Sequence, residues 1–519
     1  MSGLRHVTTN AVMKLRLSRI ASAAALIATT TLAAAGPLDG ASLVWTQKHA
    51  SAPAGFTSEV VSFDSASKTL WVAGVNGVQV LNAATGAVLD FIAMTPGTAI
   101  NSVAIHGGIA AFALESTVDR KLPGQVKLYS TATRSLLAGT HTIAVGSLPD
   151  MLTFTPDGSK LLVANEGTPN SVADQAYSFP DPKGTVSIID MASRSVAATA
   201  VFDTVAPTAS NRVWAGQALV RTPGGFDVEP EYIAVDASGS KAYVTLQEAN
   251  AVAIIDLATN TTTQIIGLGA KDHSKPGNEI DPRNGGGVSF QNYNVRGLYM
   301  PDGITTFQSG GQTYFVIANE GDWREDNADR SNGSAFGGAG DLASVRVSNF
   351  DSAPGVLYTA GARSISIRNA AGDEVWDSGS TLDREAHGLG LYVDSRSPEK
   401  GVEPEDVKVM TIGGRIYAFV GLERTSRGAI AVFDITDPNN GSFVRMLLTG
   451  TTEVRPEGLY AFEMDGFHWL AVASEGSSAT TYGTSLFQLA PVPEPGTWAL
   501  MALGLAGVAG LAKRRRTLG

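Results

Sequence analysis

Two series of acidic residues recur along this 519-residue chain at a spacing that would bring them together. The first reads Glu59, Asn101, Asp150, Glu231, Asp302, Glu405 and Glu457; the second reads Asn76, Glu115, Glu166, Glu248, Glu320, Glu423 and Glu475. Six of seven positions in each series are acidic, and the two members of a pair lie 14 to 18 residues apart. That interval fits a strand, a tight turn and a returning strand, so both acids come back to one edge. Crowded carboxylates repel, which raises their pKa values or recruits cations. Hard oxygen ligands in number suit Ca2+, which takes about six to eight of them. The expected metal ligands are Asp150, Glu166, Glu231, Glu248, Asp302, Glu320, Glu405, Glu423, Glu457 and Glu475. The same repetition also suits a structural role, each acid accepting backbone N–H groups from a neighbouring unit or capping a loop.

The elements that would position these acids are short β-rich runs separated by turn residues. Runs at 60–63, 152–154, 233–235 and 459–462 lead to Pro156-Asp157-Gly158, Ala237-Ser238-Gly239, Gly413-Gly414 or Asp465-Gly466, and a second run rises from each turn. A third run often ends in Asp, as at Asp190, Asp256 and Asp434, and a fourth follows in several units. Three or four short strands repeated seven times predict an all-β fold, a seven-bladed β-propeller with its acids on one face of the disc. About 65 residues per unit exceeds the roughly 40–45 of a minimal blade, so long loop insertions are expected at 167–184, 204–225, 267–296 and 322–402. Within the last, 364–368 and 374–377 read as outer strands of the fifth unit. The run 42–46 is a candidate partner for 485–488, which would close the ring.

Both ends read as addresses. Arg5, Lys14, Arg16 and Arg19 precede an apolar run at 20–32 and Ala33-Ala34-Ala35, the pattern of a signal peptide over 1–35. The propeller is expected over 36–490. In the tail, 491–519, Pro493-Glu494-Pro495 is followed by an apolar stretch at 498–512 and by Lys513-Arg514-Arg515-Arg516. A helix over 497–512 would be about 24 Å long, slightly short for a bilayer core, with its basic end on the cytoplasmic side. This tripartite tail resembles the PEP-CTERM sorting signal. The resemblance implies processing by an exosortase in a Gram-negative bacterium that makes exopolysaccharide, and membrane attachment through the tail until then. A plain C-terminal membrane anchor is the alternative.

Cysteine is absent, which removes disulfides, thiol catalysis and thiolate metal sites together. Setting aside the eight Lys and Arg of the leader and basic tail leaves 30 basic residues against 49 acids. That balance opposes nucleic-acid binding and favours cations, or polymers bridged by cations. No Gly-Lys-Ser/Thr phosphate loop, His-Glu-x-x-His helix or Gly-x-Ser-x-Gly elbow is present. His273 and His387 lie in insertions that could overhang the acidic face, and Arg324, Arg384 and Arg396 could clamp a phosphate there. His106 and His468 are expected near turns of the opposite face, in solvent.

The stretches Leu148-Pro149-Asp150-Met151, Val163-Ala164-Asn165-Glu166-Gly167, Glu229-Pro230-Glu231-Tyr232, Leu246-Gln247-Glu248-Ala249-Asn250, Asn319-Glu320-Gly321-Asp322 and Glu403-Pro404-Glu405-Asp406 resemble the choice-of-anchor I family. The similarity covers nearly the whole body. That family is similar to mesenchyme-specific cell-surface glycoproteins, and some members carry an alkaline-phosphatase label. The chain departs from the family pattern at Trp323-Arg324-Glu325-Asp326 and at Asn278-Glu279-Ile280-Asp281. Two functions are expected from residues and resemblance together. One is an exported surface or matrix protein whose calcium-loaded acidic face binds a polymer, such as exopolysaccharide, or a partner. The other is a calcium-dependent phosphohydrolase using the same face.

Overall fold

A computed structural model describes residues 36–168, 182–205, 228–323, 330–478 and 480–492. The leader, Arg324, the sorting tail with Pro493, Glu494 and Pro495, and most of the insertions at 167–184 and 204–225 lie outside the described residues. The chain divides into a short unit, Met1–Asp39, and a body, Gly40–Gly519. In the first, the described residues form a turn in which the Gly36 N–H donates to the Asp39 carboxylate at 2.7 Å.

The body is all-β, and among the described residues its strands form seven antiparallel sheets in chain order, each with a continuous path of four strands, besides smaller accessory sheets. Sheet 1 begins with Val61–Asp64 and Thr69–Gly74, sheet 2 with Thr98–His106 and Ile109–Ser116, and sheet 3 with Pro149–Phe154 and Lys160–Asn165. Sheet 4 begins with Pro230–Val235 and Lys241–Leu246, and sheet 5 with Ile304–Ser309 and Gln312–Asn319. Sheet 6 begins with Pro404–Ile412 and Arg415–Leu422, and sheet 7 with Pro456–Met464 and Phe467–Ser474. The outer strands of sheet 5 are Ser364–Asn369 and Glu374–Asp377, where the alternation at 364–377 locates them. Ser42–Gln47 pairs with Gly483–Pro491, with Ser42 opposite Gln488 and Thr46 opposite Ser485, so the body's first and last strands share sheet 7.

Second strands such as Thr69–Gly74 are buried along their whole length. They read as continuous apolar runs rather than alternating ones because each sheet packs on both faces. One core lies between Trp71, Val78 and Val80 of sheet 1 and Val103, Phe112 and Leu114 of sheet 2. Equivalent cores join sheets 2 and 3, 3 and 4, 4 and 5, and 5 and 6. The tight turns are held by acids of their own: Asp157 accepts the Ser159 N–H at 3.0 Å, and Asp190, Asp256 and Asp434 accept N–H groups two or three residues ahead.

The 267–296 and 322–402 insertions form accessory structure. Ala270–Asp272, Val295–Leu298 and Leu357–Thr359 make a three-stranded sheet, Arg330–Asn332 pairs with Arg346–Ser348, and Thr381–Gly388 is an α-helix. No helix among the described residues is long and apolar enough to cross a membrane.

Candidate metal centre

Five sheets open on the same three-residue device: Leu148-Pro149-Asp150, Glu229-Pro230-Glu231, Met300-Pro301-Asp302, Glu403-Pro404-Glu405 and Arg455-Pro456-Glu457. A residue before proline is pushed out of the right-handed helical region. Here it adopts the left-handed one, with φ of 46°, 41°, 41°, 52° and 57°. The turn aims that residue's carbonyl at the returning strand. Leu148 O accepts the Glu166 N–H at 2.8 Å, Glu403 O that of Glu423 at 2.9 Å, and Arg455 O that of Glu475 at 2.9 Å. In sheet 5 the bond reaches one residue further, from Gly321 N–H to Met300 O at 2.9 Å. In sheets 3, 4, 6 and 7 a register break just inside the proline, as between Pro149 and Leu152 or Pro404 and Val407, bulges the strand and turns the acid out of the sheet.

The acids meet on a cavity of about 660 Å³. All seven members of the first series line it, Glu59, Asn101, Asp150, Glu231, Asp302, Glu405 and Glu457. From the returning strands come Val75, Glu115, Glu166, Gln247, Glu320, Glu423 and Glu475. Two sequence-derived positions need correction: Gln247, not Glu248, and Val75, not Asn76, stand on the wall. In sheet 4, Pro230 pairs with Leu246, as Pro404 pairs with Leu422 and Pro456 with Ser474. The residue after that partner faces the cavity, so the rim position is Gln247, and a one-residue offset points a side chain elsewhere. Glu248 is buried and belongs to none of the carboxylate groups, though its charge bears on Glu166 and Glu231.

Among the described residues the carboxylates form four groups of three, each offering oxygens within 4.8 Å of one another. They are Asp150 with Glu166 and Glu231, Asp302 with Glu320 and Glu405, Glu320 with Glu403 and Glu423, and Glu423 with Glu457 and Glu475. Burial, then the facing carboxylates, push Glu231, Glu405 and Glu457 well above the ordinary range. Asp150 is raised to about 6 by burial and by Glu115, against the pull of Arg120 and a hydrogen bond with Glu231. Glu59 and Glu423 are each raised to about 8, chiefly by burial. Glu405 is only 8% exposed, and its Oε2 has no hydrogen-bond partner among the described residues.

The 322–402 insertion brings cations to one side. Lys400, 6% exposed, sets its Nζ 2.6 Å from Glu320 Oε1, 3.1 Å from Glu403 Oε2 and 3.3 Å from Asp322 Oδ1. Arg396 donates to Glu403 Oε1 at 2.6 Å, and Arg424 pairs with Glu423 at 2.8 Å. Arg330, Arg346 and Trp323 line the same wall. Val60 and Tyr232 face both this cavity and a second one of about 280 Å³ that holds Met151, Lys408 and Leu459.

Of the expected accessory residues that are described, only Arg396 reaches the site. Arg384 pairs with Glu279 at 3.3 Å, and His387 packs on Phe290. His273 is buried, its Nδ1 2.8 Å from Asn278 O, and its pKa falls to about 3 through burial and the nearby Lys271. Asp281 accepts the N–H groups of Arg283 and Ser289 within its own loop. His468 is 3% exposed rather than solvated, because it lies inside the paired strands of sheet 7 opposite Glu463. Lys400 and Glu403 were missed by sequence reasoning. Glu403 carries a signal in retrospect, since it precedes a proline-acid pair as Glu229 does; Lys400 carries none.

No curated protein matches the chain. Among solved structures, it is similar to a chain in a crystal structure of a mitotic checkpoint complex, at 12% identity and TM-score 0.47, covering 86% of this chain and 93% of that one. It is also similar to Kuenenia stuttgartiensis hydrazine synthase, at 11% identity and TM-score 0.45, covering 82% and 94%. Residues 491–516 match the PEP-CTERM protein-sorting motif, which marks an exported protein of the cell envelope processed by an exosortase. The choice-of-anchor I domain matches at 59–355 and 342–438. With that match running from the first acid of the rim into sheet 6, over more than half of its length, the chain belongs to the choice-of-anchor I domain family.

Proposed function

We propose that the seven sheets are the blades of a closed β-propeller, and that its acidic mouth binds Ca2+ and, through the ion, an anionic polymer or partner at the cell surface. Closure is supported by contact between the first strands of sheets 7 and 1 and by the shared core in which Phe63 stacks on Phe462 at 4.0 Å. The observation that carries the calcium reading is the Asp150, Glu166 and Glu231 group, with its oxygens within 4.8 Å of one another. Ligands on opposite sides of one Ca2+ lie about 4.6 to 5.2 Å apart, twice the usual Ca–O distance, so one ion can touch all three. Burial and mutual repulsion make the empty group costly unless it holds protons or a cation. A bound ion would keep open positions toward the cavity, where carboxylate, sulfate or hydroxyl oxygens of a polymer could complete its shell.

The test is a calorimetric titration of Ca2+ into the full chain after chelation. Saturable binding is expected, weakened about tenfold or more, or about 1.4 kcal/mol, in Asp150→Asn and Glu231→Gln. No binding, and no change in Tm between chelator and calcium, would refute the reading. A second reading, calcium-dependent phosphoester hydrolysis, draws on Arg330, Arg346 and Arg396 sharing the wall with the acids, since guanidinium groups suit phosphate. Turnover of an aryl phosphate by the same preparation, lost in Glu405→Gln, would favour it.

A further inference from the structure

We infer that Lys400 is a resident cation that stands where a metal ion would otherwise bind, and so confines Ca2+ to the rest of the rim. The inference rests on the calcium reading above for its biological meaning, but its geometry is separate. Glu320, Glu403 and Glu423 offer oxygens within 4.8 Å of one another, as the Asp150 group does. The two groups differ in what sits among them. Lys400 Nζ contacts Glu320, Glu403 and Asp322 at 2.6, 3.1 and 3.3 Å, whereas the cation that acts on Asp150 and Glu166 is the Arg120 guanidinium, itself paired with Glu115 at 3.2 Å.

The lysine is delivered rather than incidental. Arg363, 2% exposed, donates to Ser397 O at 2.6 Å and Glu399 O at 3.1 Å, and sits 3.4 Å from the buried Asp383 carboxylate. Asp383 in turn accepts the Val402 N–H at 3.1 Å. The loop is therefore gripped on both sides of Lys400. Across the cavity, Gln247 donates from Nε2 to Glu320 Oε2 at 2.7 Å, which leaves Oε1 for the ammonium. This accounts for an amide at the one rim position of sheet 4 where an acid was expected.

Removing the ammonium frees three oxygens in a pre-formed cradle. The test compares calcium stoichiometry, by equilibrium dialysis against Ca2+ alone, in the full-length wild type, Lys400→Gln and Lys400→Arg. Lys400→Gln should bind one more ion than wild type. The extra ion should vanish when Glu320→Gln is added, and Lys400→Arg should not gain it. Should Lys400→Gln lose its fold in chelator, millimolar Ca2+ must restore its circular dichroism and melting transition. Equal stoichiometry in a folded Lys400→Gln, or an unfolded one that calcium does not restore, overturns the inference. A wild type that binds no calcium, beside a Lys400→Gln that binds one ion, would remove the calcium reading and leave this one standing.

Discussion

Glu166 and Glu320 hold the same position in their sheets, at the end of the second strand, yet their surroundings assign them different chemistry. Glu320 is neutralised by Lys400 and bonded by Gln247. Glu166 takes a hydroxyl bond from Thr168, shares an oxygen cluster with Asp150 and Glu231, and feels Arg120 only as a neighbouring charge. The acids that do serve as backbone staples are others, Asp157, Asp190, Asp256 and Asp434 at the turns. This division makes a pH prediction. Asp150 titrates at about 6 and Glu59 and Glu423 at about 8 in the fold, against about 4 in the unfolded chain. Without metal the native state therefore holds more protons across that window, and stability falls as pH rises from about 4 to 8. In chelator, Tm should be lower near pH 8 than near pH 5, and calcium should erase most of the difference. Asp150→Asn should raise the chelated protein's stability near pH 8 by on the order of 2 kcal/mol, read by urea unfolding. A chelated Tm that climbs between those pH values would show the acids to be ionised at no cost.

At the scale of the element, the residue-proline-acid turn sets the rim. The prolines and acids are plain in the sequence, and the spacing locates nearly every strand. What a string of letters does not carry is the left-handed backbone before each proline, because leucine, methionine, arginine and glutamate all occupy it. Gln247 shows the consequence, since only the Pro230–Leu246 pairing reveals which of two adjacent residues meets the cavity. Arg455 tests the turn, being partly exposed at φ 57°, with its half-exposed pair to Glu475 at 3.5 Å lost equally in both variants. Arg455→Gly should fold within about 0.5 kcal/mol of wild type, relief of the backbone offsetting glycine's extra unfolded-state entropy. Arg455→Val should lose about 1 to 3 kcal/mol by denaturant titration. Equal effects of the two would mean that the turn stores no strain.

At the scale of the molecule, the first strands approach so closely that side chains have no room. A Cβ on Gly458 would lie 2.5 Å from Glu59 O, and one on Gly303 2.7 Å from Glu405 O. Leu459 N–H donates to Asp406 at 2.8 Å, and Thr306 Oγ1 to Val235 O at 2.8 Å, tying neighbouring sheets together. Gly458→Ala should therefore force sheets 7 and 1 apart. A loss of about 2 kcal/mol or more is expected in urea unfolding, together with weaker calcium binding, because Glu457 and Glu59 move with the strands. An unchanged melting curve would argue against tight packing at this seam.

The all-β class, the sevenfold repetition, the lack of cysteine, the sorting motif and nine of the ten carboxylates that share the groups now described are legible in the string of residues. These follow from local rules: strand period, turn residues and a regular interval between acids. Tertiary structure alone decided which carboxylates share an oxygen cage and which are answered by a lysine from about 80 residues further along the chain, between Glu320 and Lys400. It also decided that a glutamine replaces an acid at one rim position. The physical reason is that charge interactions depend on distance through space, and the loop that carries Lys400 is held over the rim by Arg363 and Asp383, not by any periodicity that a strand could announce.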